Sequence, residues 1–272
     1  ITASQDYIPI ASTTNFSTSV VAEIETTNEV VSFTDISENL FEYSEQLDNA
    51  YWGTSGASIS ADQITAPDGT TTADKVISTS TSGSVVIKTP TGLTAGAEYT
   101  MSIFAKAGDN DIFRIANVSS GGTGAWFNLT DGTIGTENGG ANSSTMTSVG
   151  DGWYKCTRTF ASLTVSGSNT VIFGNCATDG STAGPAVDEF IYLWGAQLEK
   201  ASAATTYLPT TSAGLVGLTD VTRGVNGTTA ASASSGDDIQ QLPYALSDLN
   251  MPTILKAISV SSDGTGAGRF TL

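Results

Sequence analysis

From residue 38 to residue 209, short runs of alternating apolar and polar residues follow one another, each cut off by a cluster of Gly, Asn, Asp or Pro. Alternation with period 2 puts successive side chains on opposite faces of a strand, and many short strands between turn signals form a two-sheet sandwich. In Tyr99-Thr-Met-Ser-Ile-Phe-Ala-Lys106, residues Tyr99, Met101, Ile103 and Ala105 share one face while Phe104 and Lys106 take the other. Comparable runs are Ser84 to Lys88, Ile112 to Val118, Ala125 to Leu129, Trp153 to Phe160, Thr170 to Asn175 and Phe190 to Leu198. Asp68-Gly69, Asp131-Gly132, Asn138-Gly139, Asp151-Gly152 and Asp179-Gly180 mark turns between them. The spacing predicts an all-β antiparallel sandwich with Tyr99, Met101, Ile103, Tyr192 and Trp194 in its core.

The composition agrees, being rich in Ser, Thr, Asn and Gly, which favour strands, turns and bulges over helix interiors. Charged residues reach only 14%, against roughly 25% in an average soluble domain. They are unbalanced: 10 basic against 27 acidic residues leave a net charge of -17, with no Lys or Arg before Lys75. Such a chain repels a nucleic-acid backbone, so no nucleic-acid partner is expected. No run approaches the roughly 20 apolar residues that span a bilayer, and the first residues lack the basic and apolar regions of a signal peptide, so no membrane insertion is expected.

The chain has no His. That removes the commonest general base and the usual partner of a Ser or Cys nucleophile. The Gly-rich pieces Gly121 to Gly124 and Gly264 to Gly268 lack the Lys and the strand-to-helix setting of a phosphate loop. Only a carboxylate pair of the glycoside-hydrolase kind is left open, and the protein is expected not to be an enzyme. Cys156 and Cys176 are too few for a disulfide scaffold and lack metal-ligand spacing; two buried thiols on strands are expected.

Residues 1–37 alternate apolar groups such as Ile8, Ile10, Val20, Ile24 and Val31 with Ser, Thr, Asn and Glu. They are expected to form an extended N-terminal arm that adds a strand to another subunit, the alternatives being a strand of the same domain or a partly disordered terminus. After Pro209, the stretches 210–214 and 228–238 are small, polar joints around short apolar pieces. Residues 210–272 are expected to be a linker and a small β-rich oligomerisation or attachment region, because their apolar side chains make little core alone.

Six segments, in order, carry a family resemblance. Asn39-Leu-Phe-Glu-Tyr-Ser-Glu45, with Trp52 after it, matches an opening strand and first aromatic anchor, and Ala66-Pro-Asp-Gly-Thr-Thr-Thr-Ala-Asp-Lys-Val76 a second segment. Tyr99 to Gly108 matches a central strand. Phe127 to Gly135, Val149-Gly-Asp-Gly-Trp-Tyr-Lys-Cys156 and Tyr192-Leu-Trp-Gly-Ala-Gln-Leu-Glu199 follow, and Tyr207-Leu-Pro-Thr210 closes the domain. This stretch, residues 38–209, resembles the jelly-roll domain of phage tail and capsid-associated proteins, which is similar to carbohydrate-binding modules. The resemblance implies a non-enzymatic structural protein of a tailed-phage virion: a tail, fibre, collar or head-decoration subunit that projects a sandwich from the particle. The alternative is a receptor-binding module for host surface glycan. Either implies a virion location and other virion proteins as partners. Because both ends alternate apolar and polar residues yet are set off by polar joints, they are expected to contact other chains, in a homotrimer whose intertwined ends bury Ile254, Leu255, Ile258 and Val260 or on a portal, tail or capsid scaffold.

Sugar recognition needs an aromatic platform beside polar groups. Trp126 and Asn128, placed outward if Ala125, Phe127 and Leu129 face inward, and Trp153, which follows a turn, are the candidates; Trp52 and Trp194 are expected in the core. No dedicated cofactor is expected. Sandwiches of this type often carry a structural Ca²⁺, for which Glu45, Asp74 and Glu199 could supply oxygen ligands, although the spacing is not diagnostic and ordinary solvated acids are the favoured account.

Overall fold

Strand alternation organises the structure, a computed structural model that describes residues 7–10, 21–24, 27, 29–33, 35–117, 123–139, 143–160, 169–225, 227–231 and 239–241. Strands are numbered in chain order, and every pairing is antiparallel. One six-stranded sheet runs β12 (Thr133–Asn138), β11 (Thr123–Asn128), β10 (Ile112–Asn117), β15 (Val171–Cys176), β8 (Val85–Lys88) and β5 (Gly53–Ser55). The other runs β13 (Ser143–Gly150), β14 (Trp153–Phe160), β9 (Tyr99–Ala107), β16 (Phe190–Glu199), β7 (Ala73–Ser78) and β6 (Ala57–Ile64). Together they form the jelly-roll-like sandwich that the spacing predicts, and there is no helix among the described residues.

The core between the sheets takes alternate residues from each strand. Tyr99, Met101, Ile103 and Ala105 of β9 meet Phe113 and Ile115 of β10, Ala125 and Phe127 of β11, and Phe173 of β15. Each large side chain removed from water in this way contributes about 1.5–3 kcal/mol. Trp52 packs edge-on against Phe41, centroids 5.0 Å apart, inside the same core.

Strand β16 departs from the expectation. Ile191 and Leu193 face the core, whereas Tyr192 and Trp194 face away from it and join a second cluster on the outside of the sheet with Ala66, Ala73, Phe104, Trp153 and Tyr207. The register slips between Trp194 and Gln197. Gly195 sits there with φ 66°, and the bulge returns Ala196 and Leu198 to the core side. Trp194 is therefore buried, but on the opposite face from the one expected.

A third sheet of the same unit joins β1 (Ile8–Ile10), β17 (Leu215–Thr219) and β4 (Asp35–Asn39). Segments expected to form an arm and a C-terminal region thus pair within one chain, with Ile8 and Leu218 buried. Asn39 ties β4 to the sandwich: its amide donates to the carbonyls of Ala196 and Leu208, both at 3.0 Å, and its Oδ1 accepts from Phe41 and Leu198.

The chain divides into two units, the sandwich with this third sheet (Tyr7–Asn15 and Thr34–Asp220) and a smaller one drawn from Phe16–Phe33 and the segment from Val221 onward. In the smaller unit β2 (Val21–Ile24) lies between β3 (Glu29–Ser32) and β18 (Ile239–Gln241). Ala22, Ile24 and Val31 are buried there. Ile254, Leu255, Ile258 and Val260, expected at a trimer axis, lie outside the described residues.

Candidate functional site

The outward face of the second sheet carries two cross-strand rows. In the first, Lys106 of β9 stands in register with Trp153 of β14 on one side and Tyr192 of β16 on the other, and Tyr192 is followed by Lys75 of β7. In the second, Phe104 is flanked by Lys155 and Trp194. Side chains directly opposite one another on a sheet face are about 4.5–5.5 Å apart at Cβ, so each row is a continuous surface.

The second row is closed over. Trp194 packs against Tyr207 with centroids 4.8 Å apart and against Phe104 at 5.2 Å, and its Nε1 donates to Thr72 Oγ1 at 2.9 Å. Lys155 Nζ donates to the Thr205 carbonyl at 2.6 Å. The first row stays open. Its floor of Trp153, Lys106 and Tyr192 lies in a cleft of about 530 Å³ walled by Ile64 to Pro67 and Gly69 on one segment and Val149 to Asp151 on another. That volume falls within the roughly 300–1,000 Å³ of small-ligand sites.

Local sequence explains the walls. Asp151 and Gly152 both have positive φ, 49° and 76°, the conformation of the tight hairpin turn that suits strand twist, and Asp-Gly is the pair that adopts it. The Lys106 stem runs along this turn, where a Cβ at Gly152 would lie 3.5 Å from Lys106 Cε. The first wall is pinned to the floor by Trp153 Nε1, which donates to the Thr65 carbonyl at 3.1 Å. Val149 is left 44% exposed on the rim.

The sugar-binding residues expected from the sequence do not assemble into one platform. Trp126 does face outward, but from the other sheet, and it is only 2% exposed. Its Nε1 donates to the Ser181 carbonyl at 2.6 Å, and the Arg114 guanidinium lies 4.7 Å from its ring centroid. Asp179 fastens the covering segment by accepting from Thr136 N at 2.7 Å and Thr136 Oγ1 at 2.8 Å. Asn128 shapes its own turn, its Oδ1 accepting from the amides of Thr130 and Asp131. Trp153 alone of the three belongs to the cleft, as a buried floor held by its indole nitrogen rather than as an exposed ring. Alternation puts Lys106 on the face away from Met101 and Ile103, but it puts Tyr192 with the core residues, and the meeting of the two depends on strand order.

The carboxylates expected to share Ca²⁺ do not come together, and among the described residues no three His, Cys, Asp or Glu side chains form a group able to hold a metal ion. Each is engaged by protein donors. Glu45 accepts from Tyr207 OH at 3.1 Å, and burial raises its pKa. Asp74 accepts from the amides of Leu47 at 2.7 Å and Asp62 at 3.1 Å; burial, with the charges of Asp48 and Asp62, pushes its carboxyl up to about 7 despite these bonds. Glu199 accepts from Gln197 Nε2 at 2.7 Å and from Thr205, and burial raises it too. Both cysteines are free and buried, as the sequence suggests.

No protein family matches the chain, and no curated protein does. Among solved structures it is similar to the enzymatically active domain of tailspike protein 4 of bacteriophage CBA120, with 11% identity, a TM-score of 0.37, and coverage of 60% of this chain and 21% of that one. It is similar at the same TM-score to the CBM22-1-GH10 modules of a Clostridium thermocellum endo-1,4-beta-D-xylanase complexed with xylohexaose, with 15% identity over 64% of this chain and 29% of that one. An exo-beta-agarase has 12% identity over 62% and 25%, again with a TM-score of 0.37. The chain thus spans less than a third of the length of each. Overlap this loose does not bear on function.

Proposed function

We propose that the protein is a non-enzymatic structural component of a tailed-phage virion whose sandwich recognises host surface glycan through the cleft over Trp153, Lys106 and Tyr192. The observation that carries this reading is the cleft over this row on the outward face of the second sheet, where the half-buried Lys106 and Tyr192 stand beside a buried Trp153 floor. A sugar presents an apolar face to a ring and hydroxyls to charged groups and carbonyls, and this row offers both beside the backbone of 64–66 and 149–151. A flat, polar outer face would have left only an architectural role.

Binding suits the cleft better than hydrolysis. Glycoside hydrolysis takes two carboxyl groups flanking the scissile bond, and Asp151 is the one carboxylate among the residues lining the cleft. The virion assignment draws on the family-like segments, of which those between Ala66 and Glu199 fall on sandwich strands and their turns, whereas Asn39 to Glu45 runs from the end of β4 into turns and forms no opening strand. The same proposal includes assembly as a homotrimer on other virion proteins.

Pull-down of the full chain by host cells and by their extracted surface polysaccharide tests the glycan reading. Retention of the wild type and loss with Tyr192→Ala are expected, and equal retention of both proteins overturns it. Mass spectrometry of purified particles tests the virion assignment, and sedimentation the trimer, for which a monomer mass is the contrary result.

A further inference from the structure

We infer that the cleft selects an acidic glycan, one whose sugars carry a carboxylate, with Lys106 as the residue that pairs with it. This inference rests on the glycan reading and narrows it. Its ground is the way the chain spends its few cations. Of the basic residues in the sequence, Lys75, Lys88, Lys106, Arg114, Lys155, Arg158, Lys200 and Arg223 lie among the described residues.

Seven of these have a partner inside the protein. Lys75 Nζ sits 3.5 Å from the Phe190 ring centroid. Lys88 donates to the Tyr51 carbonyl and lies over the Tyr51 ring. Arg114 lies over Trp126, and Lys155 donates to Thr205. Arg158 pairs with Glu137, Lys200 donates to Thr94 Oγ1, and Arg223 pairs with Glu29. Among the described residues Lys106 has neither a hydrogen bond nor an ion pair, and it is the cation that lines the cleft.

The net charge of -17 repels a polyanion at long range, but salt screens exposed charges beyond about 8 Å, so at contact distance the local cation of the cleft decides. Lys106 is half-buried in register between Trp153 and Tyr192, with its Cε and Nζ lying along the Gly152 turn at the edge of the cleft. A partly desolvated cation gains most from a charged acceptor, because charge-assisted hydrogen bonds are about twice as strong as neutral ones. Asp151, exposed at the tip of the turn, supplies an acceptor for hydroxyls. A sugar acid carries both complements, a carboxylate for Lys106 and hydroxyls for Asp151, on a ring whose apolar face can lie against Tyr192.

Titration calorimetry of the full chain with oligogalacturonate, oligoglucuronate and oligosialate, each beside its carboxyl-reduced form, tests this. At least one acid form is expected to bind roughly tenfold or more tighter than its reduced counterpart, as one charge-assisted bond would give. Lys106→Gln should abolish that difference with an unchanged melting midpoint, and Lys106→Arg should keep most of it. Equal or tighter binding of the reduced forms overturns the acid preference and leaves the glycan reading in place. Binding of no acid or reduced form overturns both.

Discussion

Arg223 grips the Glu29 carboxylate with two nitrogens, Nε to Oε1 at 2.7 Å and Nη2 to Oε2 at 2.6 Å. Glu29 is fully buried in the smaller unit and also accepts from the amides of Gly224 and Ala231, both at 3.0 Å. Removing one partner of such a pair strands a charge, which costs about 3–5 kcal/mol. Arg223→Ala should therefore accelerate hydrogen exchange at β3, Gly224 and Ala231 by several orders of magnitude, while amides of the sandwich core are unchanged. Burial pushes the Glu29 carboxyl up, but Arg223 and the two amides outweigh it and hold it below its ordinary 4.5. Its contribution is then fully present above about pH 4.5 and lost as pH falls through the lower folded-state value, so protection of β3 should fail in acid.

Asp74 has the opposite sign. With its carboxyl raised from 3.8 to about 7, the folded state holds this proton more tightly than the unfolded chain. Stability from this group is greatest below pH 3.8 and declines as pH rises through about 7. Denaturant titrations of wild type and Asp74→Asn across this window should show the variant gaining relative to wild type as pH rises. A constant difference between them at every pH would contradict the assignment.

Trp194→Ala should cost about 3–5 kcal/mol, the usual range for removing a buried large aromatic. The ring is 3% exposed, is wedged between Phe104 and Tyr207, and has its nitrogen bonded to Thr72. The denaturation midpoint reads this directly, and a loss below about 1 kcal/mol would mean a surface ring.

Burial raises the thiol of Cys156 well above its ordinary 9.0 and pushes that of Cys176 up to about 11. Thiolate is the reactive form, so neither should react with a thiol reagent at pH 8 until the chain unfolds. Two thiols titrated only in denaturant is the expected result; rapid reaction of either in the native protein would show that its cover opens.

How much the sequence reveals depends on how many faces a strand buries. On β9 alternation separated Tyr99, Met101 and Ile103 from Lys106, and the structure places the first three in the core. On β16 both faces are covered, so alternation placed Tyr192 and Trp194 together but their assignment to the core took the wrong side, and the bulge at Gly195 reversed the parity beyond it. Trp126 was correctly turned outward, but a segment about fifty residues away in sequence covers it through Ser181, a contact no local pattern carries. The carboxylates misled for a similar reason: Asp74 is consumed by the amides of Leu47 and Asp62, which only the folded chain brings to it. The cleft joins β9, β14 and β16 through strand order, so Lys106 could be assigned a face but not a partner.

The central claim is that the row of Trp153, Lys106 and Tyr192 is where ligand sits. Titrating the isotopically labelled full chain with host surface polysaccharide, and following amide and indole resonances by NMR, tests it most directly. The account predicts shifts confined to residues 64–69, Lys106, 149–153 and Tyr192, including the Trp153 indole, with Trp126 unmoved. Shifts centred on Trp126 and Asn128, or no shifts at saturating polysaccharide, would contradict it.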